Sequence, residues 1–580
     1  MLPIGSQPLP QQEFCLHLNV SQCAITESSS RFTVTAYNPR SHEVTTYVRL
    51  PVTNGFYTVL DPDGSEMIIQ LVPLVALQSI DAERPKSTAT HELLFQAAKI
   101  PPLGHKTFYI IKTSTGRGQH SAIREKQQST TVRRAKTGEK IAISNGKLLV
   151  NFDANGLIES IVVDGETVMM SQNLMWYAAM NEGNSNSIFD DRPSGAYVFR
   201  PNGTDATPIA MQATLIVQTG ALVSEVHQKF SDWASQVVRV YKGQSDVEIE
   251  WTVGPIPVGY DRKFAGMTKY NSISKKKKKK KNRDGIGKEI VSRVTTQIPS
   301  GGRFYTDSNG RQTLLRRRNF RPTWTLNVSE PVAGNYYPIN SHIYVTDDEG
   351  NADTVVALVN DRSQGGTSLQ DGQIELMVHR RLLYDDHFGV GEPLNEPGDG
   401  PGLVVRGTHY LLVNPSLAGI HPISLIRPLA QQMFMRPWLS FSSTSLSFTN
   451  WKNNFNMQKS GLRAQLPDNV HMLTLEPWRD GTHLLRLEHV YDIGEHSTLS
   501  EPVTLILDDL LADYTITSAV ETTLGGNQWA SEVSRLPWTT ADDHQQPLKV
   551  STKFQPVGKT SVTLLPMEIR TFIIQMTPND

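Results

Sequence analysis

The chain has 580 residues, of which 38% are hydrophobic and 19% are charged, and its formal net charge is −1. This composition is typical of folded proteins and excludes a chain that is disordered along its whole length. The length predicts three or four domains. Residues 260–284, with seven consecutive lysines, carry a net charge of +9, which leaves −10 for the rest. The rest of the chain therefore lacks the basic character of nucleic-acid-binding proteins.

The N-terminal stretch MLPIGSQPLPQQEF has neither the basic nor the apolar part of a signal peptide. No run of 18 apolar residues predicts a membrane span. We expect neither a nucleic acid nor a membrane as partner.

The only two cysteines, Cys15 and Cys23, are separated by seven residues. They could close a small disulfide loop, bind a metal with other residues, or be two unrelated buried thiols. N-glycosylation sequons begin at Asn19, Asn202 and Asn327. Together these features favour an oxidising compartment.

Alternating apolar and polar residues predict half-buried strands along the chain. In the stretch VEIEWTV the apolar residues share one face: Val247, Ile249, Trp251 and Val253. In RFTVTAYN the corresponding residues are Phe32, Val34 and Ala36. Turn signals such as Asp-Gly and Asn-Gly separate the strands, and long amphipathic helices are hard to find. The pattern predicts a mainly β protein of stacked antiparallel sandwiches.

Composition also predicts the domain boundaries. We expect, in order, an N-terminal β-sandwich (1–112), a polar linker (113–140), a large β-sandwich domain (141–454) with a disordered basic insertion (260–284), a loop (455–469) and a C-terminal β-sandwich (470–580). The Gly- and Pro-rich stretch 389–402 predicts a long loop, and such loops on β scaffolds often carry function.

One cluster has the residue types of a metal site, namely His379, Asp385, Asp386 and His387 in HRRLLYDDHFG. Its spacing fits no known ligand pattern, so we favour a strand followed by a polar turn. The motifs of phosphate-binding loops, HExxH metalloproteases and G-x-S-x-G hydrolases do not occur in the chain.

Eight blocks in chain order carry a family resemblance: SGAYVFRPNG, WTVGPIPVG, GRFYTDSNGR, EPVAGNYYPIN, DRSQGGTSL, ELMVHRRLLYDD, LLRLEHVY and LPMEIRTF. They resemble the C-terminal half of the lysosomal-type α-mannosidases of glycoside hydrolase family 38, over almost the whole chain. The resemblance implies a large galactose-mutarotase-like sandwich with smaller β-sandwiches. It also implies a disulfide between Cys15 and Cys23.

The resemblance further implies retaining hydrolysis of terminal α-D-mannose residues of N-glycans, in the lysosome or secretory pathway. The family uses a carboxylate nucleophile and a zinc ion, held by N-terminal segments that nothing in this sequence matches. We therefore expect a partial chain or an incomplete gene model, with no catalytic residue and no metal ligand, inactive without the missing N-terminal catalytic half.

Two substrate-binding residues are implied by the resemblance, Tyr197 in SGAY and Arg381 in HRRL. A phenol can bind a sugar hydroxyl, and a guanidinium can hold hydroxyls or carboxylates. The alternatives are a cross-strand aromatic residue and a structural ion-pair partner.

Two other functions compete with that of a mannosidase. One is a stand-alone carbohydrate-binding module, and the other is a polyanion binder based on the lysine run alone. We interpret residues 260–284 as a retained intron that is translated, with a genuine basic loop as the alternative.

Overall fold

The computed structural model describes residues 8–75, 87–113, 129–180, 192–259, 285–347, 354–398, 400–534 and 561–579. The chain divides into two compact units. The first contains Met1–Leu71, Arg84–Lys126 and Met435–Asp580, and the second contains Val72–Glu83 and Gln127–Phe434. Strands dominate both units, which confirms the predicted fold class.

The strands of the N-terminal part and of the second unit follow in chain order. They begin with β1 Arg31–Tyr37, β2 Val44–Val52, β3 Phe56–Leu60, β4 Ile69–Pro73, β5 His91–Ile100, β6 His105–Thr113, β7 Thr131–Arg134, β8 Ile141–Ser144, β9 Leu148–Phe152, β10 Ile158–Val163, β11 Glu166–Ala178, β12 Thr207–Pro208, β13 Thr214–Thr219, β14 Val223–Ser231, β15 Ala234–Tyr241 and β16 Asp246–Val253. They continue with β17 Lys288–Thr296, β18 Arg303–Ser308, β19 Gln312–Arg317, β20 Tyr337–Ile339, β21 His342–Thr346, β22 Val355–Asn360, β23 Gln364–Thr367, β24 Gln373–Arg381 and β25 Val405–Asn414.

The remaining strands belong to the first unit. They are β26 Trp438–Ser443, β27 Gln458–Lys459, β28 Val470–Pro477, β29 His483–His489, β30 Val503–Ile506, β31 Tyr514–Thr522, β32 Ser561–Leu564 and β33 Ile569–Pro578. The α-helices of the described residues are α1 Ala24–Ser28, α2 Ile423–Phe434 and α3 Phe448–Asn454, and the 3-10 turns are Leu18–Val20, Ala333–Asn335, Arg479–Gly481 and Ala530–Glu532. None of the helices in the described part of the chain is long and apolar enough to span a membrane.

The second unit is a large antiparallel sandwich. One sheet has ten strands in the order β19-β18-β21-β22-β25-β16-β15-β14-β13-β7. The other has nine, β20-β23-β24-β17-β11-β10-β9-β8 with β12 beside β11. Apolar side chains of both sheets form one buried core, which includes Phe152, Leu174, Trp251 and Leu376. The residues predicted on the inner face of the VEIEWTV strand are all buried there.

The described residues of the first unit form two large hydrophobic cores and a smaller cluster around Tyr109 and Trp451. The first core lies between the sheet β26-β1-β6-β27, with β3 beside β6, and the sheet β2-β5-β4. The predicted inward residues Phe32, Val34 and Ala36 belong to it. The second core lies between the sheets β28-β29-β33-β31 and β30-β32.

The structure differs from the predicted segmentation in two places. Thr131–Arg134, in the predicted linker, is an edge strand whose side chains are all exposed, so it carries no apolar alternation. Trp438–Ser443, predicted within the large domain, pairs with β1 about 400 residues earlier in the chain. Residues 260–284 lie outside the described residues, but their flanks meet, because the backbone N–H of Ile286 donates to the Val258 carbonyl at 2.9 Å.

Candidate functional site

Tyr197 lies on a turn, residues 194–200, that follows β11 and is called here the Tyr197 turn. Gly195 N–H donates to the Val198 carbonyl at 3.0 Å, which closes the turn. Its ends bond to Met180, through Ser194 N–H at 3.1 Å and the Arg200 carbonyl at 2.9 Å. Tyr197 is 68% exposed. A closed turn therefore presents an exposed phenol, which is not the cross-strand aromatic considered as the alternative.

A buried carboxylate holds this turn from below. Asp386 Oδ2 accepts the backbone N–H of Tyr197 at 2.5 Å and that of Val198 at 3.0 Å. Asp386 Oδ1 accepts the N–H of Phe388 at 3.2 Å. The side chain of Asp386 is fully buried. Three amide donors thus solvate a carboxylate that water does not reach.

A second buried carboxylate, Glu289 on β17, joins the turn to the sheet. Ser194 Oγ donates to Glu289 Oε1 and accepts the Arg200 N–H at 2.9 Å. Arg380 on β24 donates to Glu289 Oε1 at 3.1 Å and to the Val198 carbonyl at 2.7 Å. Burial raises the pKa of Glu289, and the nearby Arg380 guanidinium opposes that shift.

A polar cluster in the same sheet lies beneath Phe199. Glu375 Oε2 accepts from Arg293 Nε at 2.6 Å, and Oε1 accepts from the Tyr177 hydroxyl at 3.0 Å and from the Tyr336 hydroxyl. Burial, and then the Glu375 charge, raise the pKa of both tyrosines. Phe199 packs edge-on against both rings, and its ring centroid lies 6.1 Å from that of Tyr177 and 4.7 Å from that of Tyr336. These groups are hydrogen-bonded to one another, and the cluster stiffens the base of the turn.

Arg381 lies beside Arg380 on β24 but bonds elsewhere. Its Nε donates to Asn395 Oδ1 and its Nη1 donates to the Ile256 carbonyl, both at 2.7 Å. Gly402 lies so close that a Cβ there would be 2.7 Å from Nη1. Nη2 has no hydrogen-bond partner in the described part of the chain. The structure thus links the Tyr197 turn to β24 through Arg380, while the loop 389–402 holds Arg381.

The four residues considered as metal ligands do not form a metal site. Asp386 binds backbone amides, and in the described part of the chain Asp385 Oδ2 pairs with His387 Nδ1, at 3.3 Å. Burial lowers the pKa of His379. Within the described ranges no group of three or more His, Cys, Asp or Glu side chains could hold a metal ion. The described residues therefore do not fit a zinc ion.

The disulfide between Cys15 and Cys23 is present, with a Cα–Cα distance of 5.3 Å. Cys23 is buried and both cysteines contribute to the first core of the first unit. Asn19, Asn202 and Asn327 are all exposed, as acceptors of glycans must be.

Sequence reasoning did not identify Ser194, Glu289 and Arg380 as parts of the site, and it considered Asp386 only as a metal ligand. One signal was available. A glutamate next to Ile290 and Val291 in the strand-like stretch GIGKEIVSRV, and an arginine on a strand that reads ELMVHRR, indicate buried charges that need partners.

Comparison with known proteins adds to this geometry. The family model described as the glycosyl hydrolases family 38 C-terminal domain matches residues 143–388. The model described as the glycosyl hydrolases family 38 C-terminal beta sandwich domain matches residues 469–572. The first match contains the Tyr197 turn, Glu289, Arg380 and Asp386.

Curated relatives match along nearly the whole chain. Lysosomal alpha-mannosidase from Homo sapiens is 41% identical over 97% of this chain and 50% of its own length. The enzyme from Cavia porcellus is 42% identical with the same coverage, and alpha-mannosidase from Canavalia ensiformis is 34% identical over 98% of this chain and 56% of its own length. A solved alpha-mannosidase from Enterococcus faecalis V583, 13% identical, aligns with a TM-score of 0.48 over 95% of this chain and 57% of that one.

These matches define a sequence of the glycoside hydrolase class. The chain belongs to glycoside hydrolase family 38 and corresponds to the C-terminal portion of its lysosomal alpha-mannosidase relatives. It spans about half the length of the curated relatives it matches.

Proposed function

We propose that this chain is the C-terminal part of an α-mannosidase that hydrolyses terminal α-D-mannose residues of N-glycans. The observation that carries the proposal is the exposed Tyr197 phenol on a turn whose backbone is bound by a buried carboxylate. An exposed aromatic side chain on so rigid a support suits ligand contact better than packing. The family membership supplies the ligand class.

In this proposal Tyr197 and Arg381 form part of the wall of the mannose pocket. The phenol donates to or accepts from a sugar hydroxyl, and Arg381 offers the Nη2 that its two bonds within the protein leave available. The bonds to Asn395 and Ile256 hold the guanidinium plane in place. Specificity then comes from groups oriented before the sugar arrives.

The reaction itself needs groups that the described residues do not supply. The buried carboxylates Asp386 and Glu375 accept amide, hydroxyl or arginine donors at both oxygens, which leaves them unsuited to act as nucleophile or acid. Glu289 is bonded to Arg380 through Oε1 and is fully buried, so a substrate does not reach it. We propose that an N-terminal catalytic half supplies the nucleophile, the acid/base residue and the family's zinc ligands. The 580-residue chain is then inactive alone.

Two preparations and a chromogenic α-mannoside test this division of labour. The first is the 580-residue chain, and the second is a hybrid in which the part of human lysosomal alpha-mannosidase that precedes its match to this chain is fused ahead of it. We expect turnover only from the hybrid, in the presence of zinc. Turnover by the chain alone would contradict the division of labour. A folded hybrid that binds mannosides without hydrolysing them would instead support a stand-alone carbohydrate-binding module.

We further propose that the protein acts in the lysosome or secretory pathway and carries glycans at Asn19, Asn202 and Asn327. The disulfide and the exposure of all three asparagines support this compartment. Expression in a secretory host followed by endoglycosidase treatment should lower the mass in three steps. Three Asn→Gln variants assign the steps, and secretion without any glycan would count against the proposal.

A further inference from the structure

Asp386 is unusual among the buried charges of the site because all the partners of its carboxylate are backbone amides. Oδ2 serves Tyr197 and Val198, and Oδ1 serves Phe388. No ion pair of Asp386 occurs among the described residues. The carboxylate therefore joins two stretches of chain that are nearly 190 residues apart and fixes their backbones to each other.

The Tyr197 turn fits against Asp386 without spare space. A Cβ at Gly195 would lie 2.6 Å from both the Cβ and the backbone N of Asp386, and 2.7 Å from its Cγ. Any side chain at position 195 would therefore lift the turn off the carboxylate. This contact fixes the distance between the turn and the chain segment that carries Asp386.

The side chain of Tyr197 has little packing of its own to orient it, since the residue is 68% exposed. Its position must then come from its backbone, and the backbone amide that fixes it is bonded to Asp386 at 2.5 Å. If the turn were flexible, ordering the phenol would reduce the free energy of binding each time a sugar bound.

We propose that Asp386 is a positioning residue that sets the place of the Tyr197 phenol in the sugar pocket. This inference rests on the proposed function of Tyr197 as a sugar contact. Asp386 does not touch the substrate and acts through the amides of the Tyr197 turn.

The first test examines the turn in the full 580-residue chain and needs no sugar. Labelling alanine carbonyls with ¹³C and tyrosine amides with ¹⁵N selects Ala-Tyr pairs, which occur only at 36–37 and 196–197. We expect exchange of the Tyr197 amide with solvent to accelerate at least tenfold in Asp386→Ala, while the Tyr37 amide reports that the fold is intact. Asp385→Asn, the neighbouring carboxylate, is the matched control and should leave Tyr197 unchanged. Unchanged Tyr197 exchange in Asp386→Ala would overturn the proposal.

Asp386→Asn covers the case in which the alanine variant fails to fold. Its single amide oxygen can still accept from Tyr197 and Val198, at the expense of the bond from Phe388. We expect this variant to keep the Tyr197 amide within threefold of the parent rate. An asparagine variant as fast as the alanine variant would show that an oxygen acceptor is not what holds the turn, and would also overturn the proposal.

The second test uses kinetics of the hybrid enzyme. We expect Asp386→Ala to lower kcat/KM about tenfold and Asp386→Asn to recover most of it. If Asp386 acts through the phenol, adding Tyr197→Phe to the Asp386→Ala variant should lower kcat/KM little further. Fully additive losses would overturn the positioning role. If Tyr197→Phe alone has no effect, the proposed function of Tyr197 fails, while the amide measurement still decides whether Asp386 holds the turn.

Discussion

Glu289 on β17 and Arg380 on β24 are directly opposite each other in the antiparallel ladder, and Arg380 Nη2 lies 3.1 Å from Glu289 Oε1. Four residues further along β17 the pair is reversed, with Arg293 opposite Glu375. Both glutamates are fully buried. The strands β17 and β24 are thus joined by two ion pairs of opposite orientation at the base of the Tyr197 turn.

The Glu289–Arg380 pair predicts an asymmetry between two substitutions. Arg380→Met leaves a buried carboxylate without its cation and should lower the free energy of unfolding by about 3 to 5 kcal/mol. Glu289→Gln removes the charge that burial disfavours and leaves Arg380 bonded to the Val198 carbonyl, so we expect about 1 to 2 kcal/mol. Denaturant unfolding at pH 7 measures both.

The same pair predicts how the Arg380→Met defect depends on pH. Without Arg380 the pKa of Glu289 rises further in the folded state, so the folded protein binds a proton more tightly than the unfolded chain. Stability is then recovered as the pH falls toward the ordinary glutamate pKa and lost as it rises. The assignment of a buried Glu289–Arg380 ion pair would be wrong if the stability loss of Arg380→Met grew in acid. It would also be wrong if Glu289→Gln lost more stability than Arg380→Met.

His471 predicts loss of stability in acid. Burial, and then the charges of His42 and Arg40, lower its pKa from 6.5 to about 4, and its Nδ1 lies 3.4 Å from Ser41 Oγ. Because the unfolded chain binds the proton more readily, this contribution is complete above pH 6.5 and disappears as the pH falls toward 4. The expected loss between pH 7.5 and pH 5 is on the order of 2 kcal/mol.

The matched variant for this prediction is His471→Asn, whose amide can replace Nδ1 beside Ser41 but does not titrate. The difference in stability between pH 7.5 and pH 5 should shrink relative to the parent by about that amount. His342 and His409, whose pKa values burial also lowers to about 4, remain as a background common to both proteins. An identical pH profile for parent and variant would refute the assignment to His471.

The basic segment can be removed with a defined product. Deleting residues 260–284 joins Gly259 to Gly285, and the existing bond from Ile286 N–H to the Val258 carbonyl becomes the closing bond of a β-turn with two central glycines. We expect the free energy of unfolding to stay within about 1 kcal/mol, because loop closure depends weakly on loop length. A shift of several kcal/mol, or failure to fold, would show that the segment is part of the fold.

The fold was largely predictable because alternation along a strand reports which side chains are buried. Trp251 and its neighbours on β16 illustrate this. The pairing of β26 with β1 was not predictable, because alternation says nothing about which distant strand will supply the hydrogen bonds. The exposed edge strand β7 was missed because it has no buried face.

The site was predictable only in part. The family resemblance pointed to Tyr197 and Arg381, and their roles stay predictions. The residues that hold the turn were not found, because the bonds of Asp386 and Arg380 to backbone atoms of the Tyr197 turn depend on three-dimensional proximity and leave no spacing pattern. Adjacent arginines on one strand also point to opposite faces, so HRRL alone does not say which of them faces the turn.

In the proposed function, the Tyr197 phenol binds a hydroxyl of the mannose that is cleaved. The most direct measurement is kcat/KM of the hybrid and of its Tyr197→Phe variant on α-mannosides lacking the 2-, 3-, 4- or 6-hydroxyl in turn, with Tyr514→Phe, an exposed tyrosine of the first unit, as control. We expect Tyr197→Phe to cost about five- to tenfold on the parent sugar, the value of one neutral hydrogen bond of about 1 kcal/mol, and close to nothing on the one deoxy sugar that lacks its partner. An unchanged kcat/KM in Tyr197→Phe, or an equal loss on all the deoxy sugars, would contradict the claim.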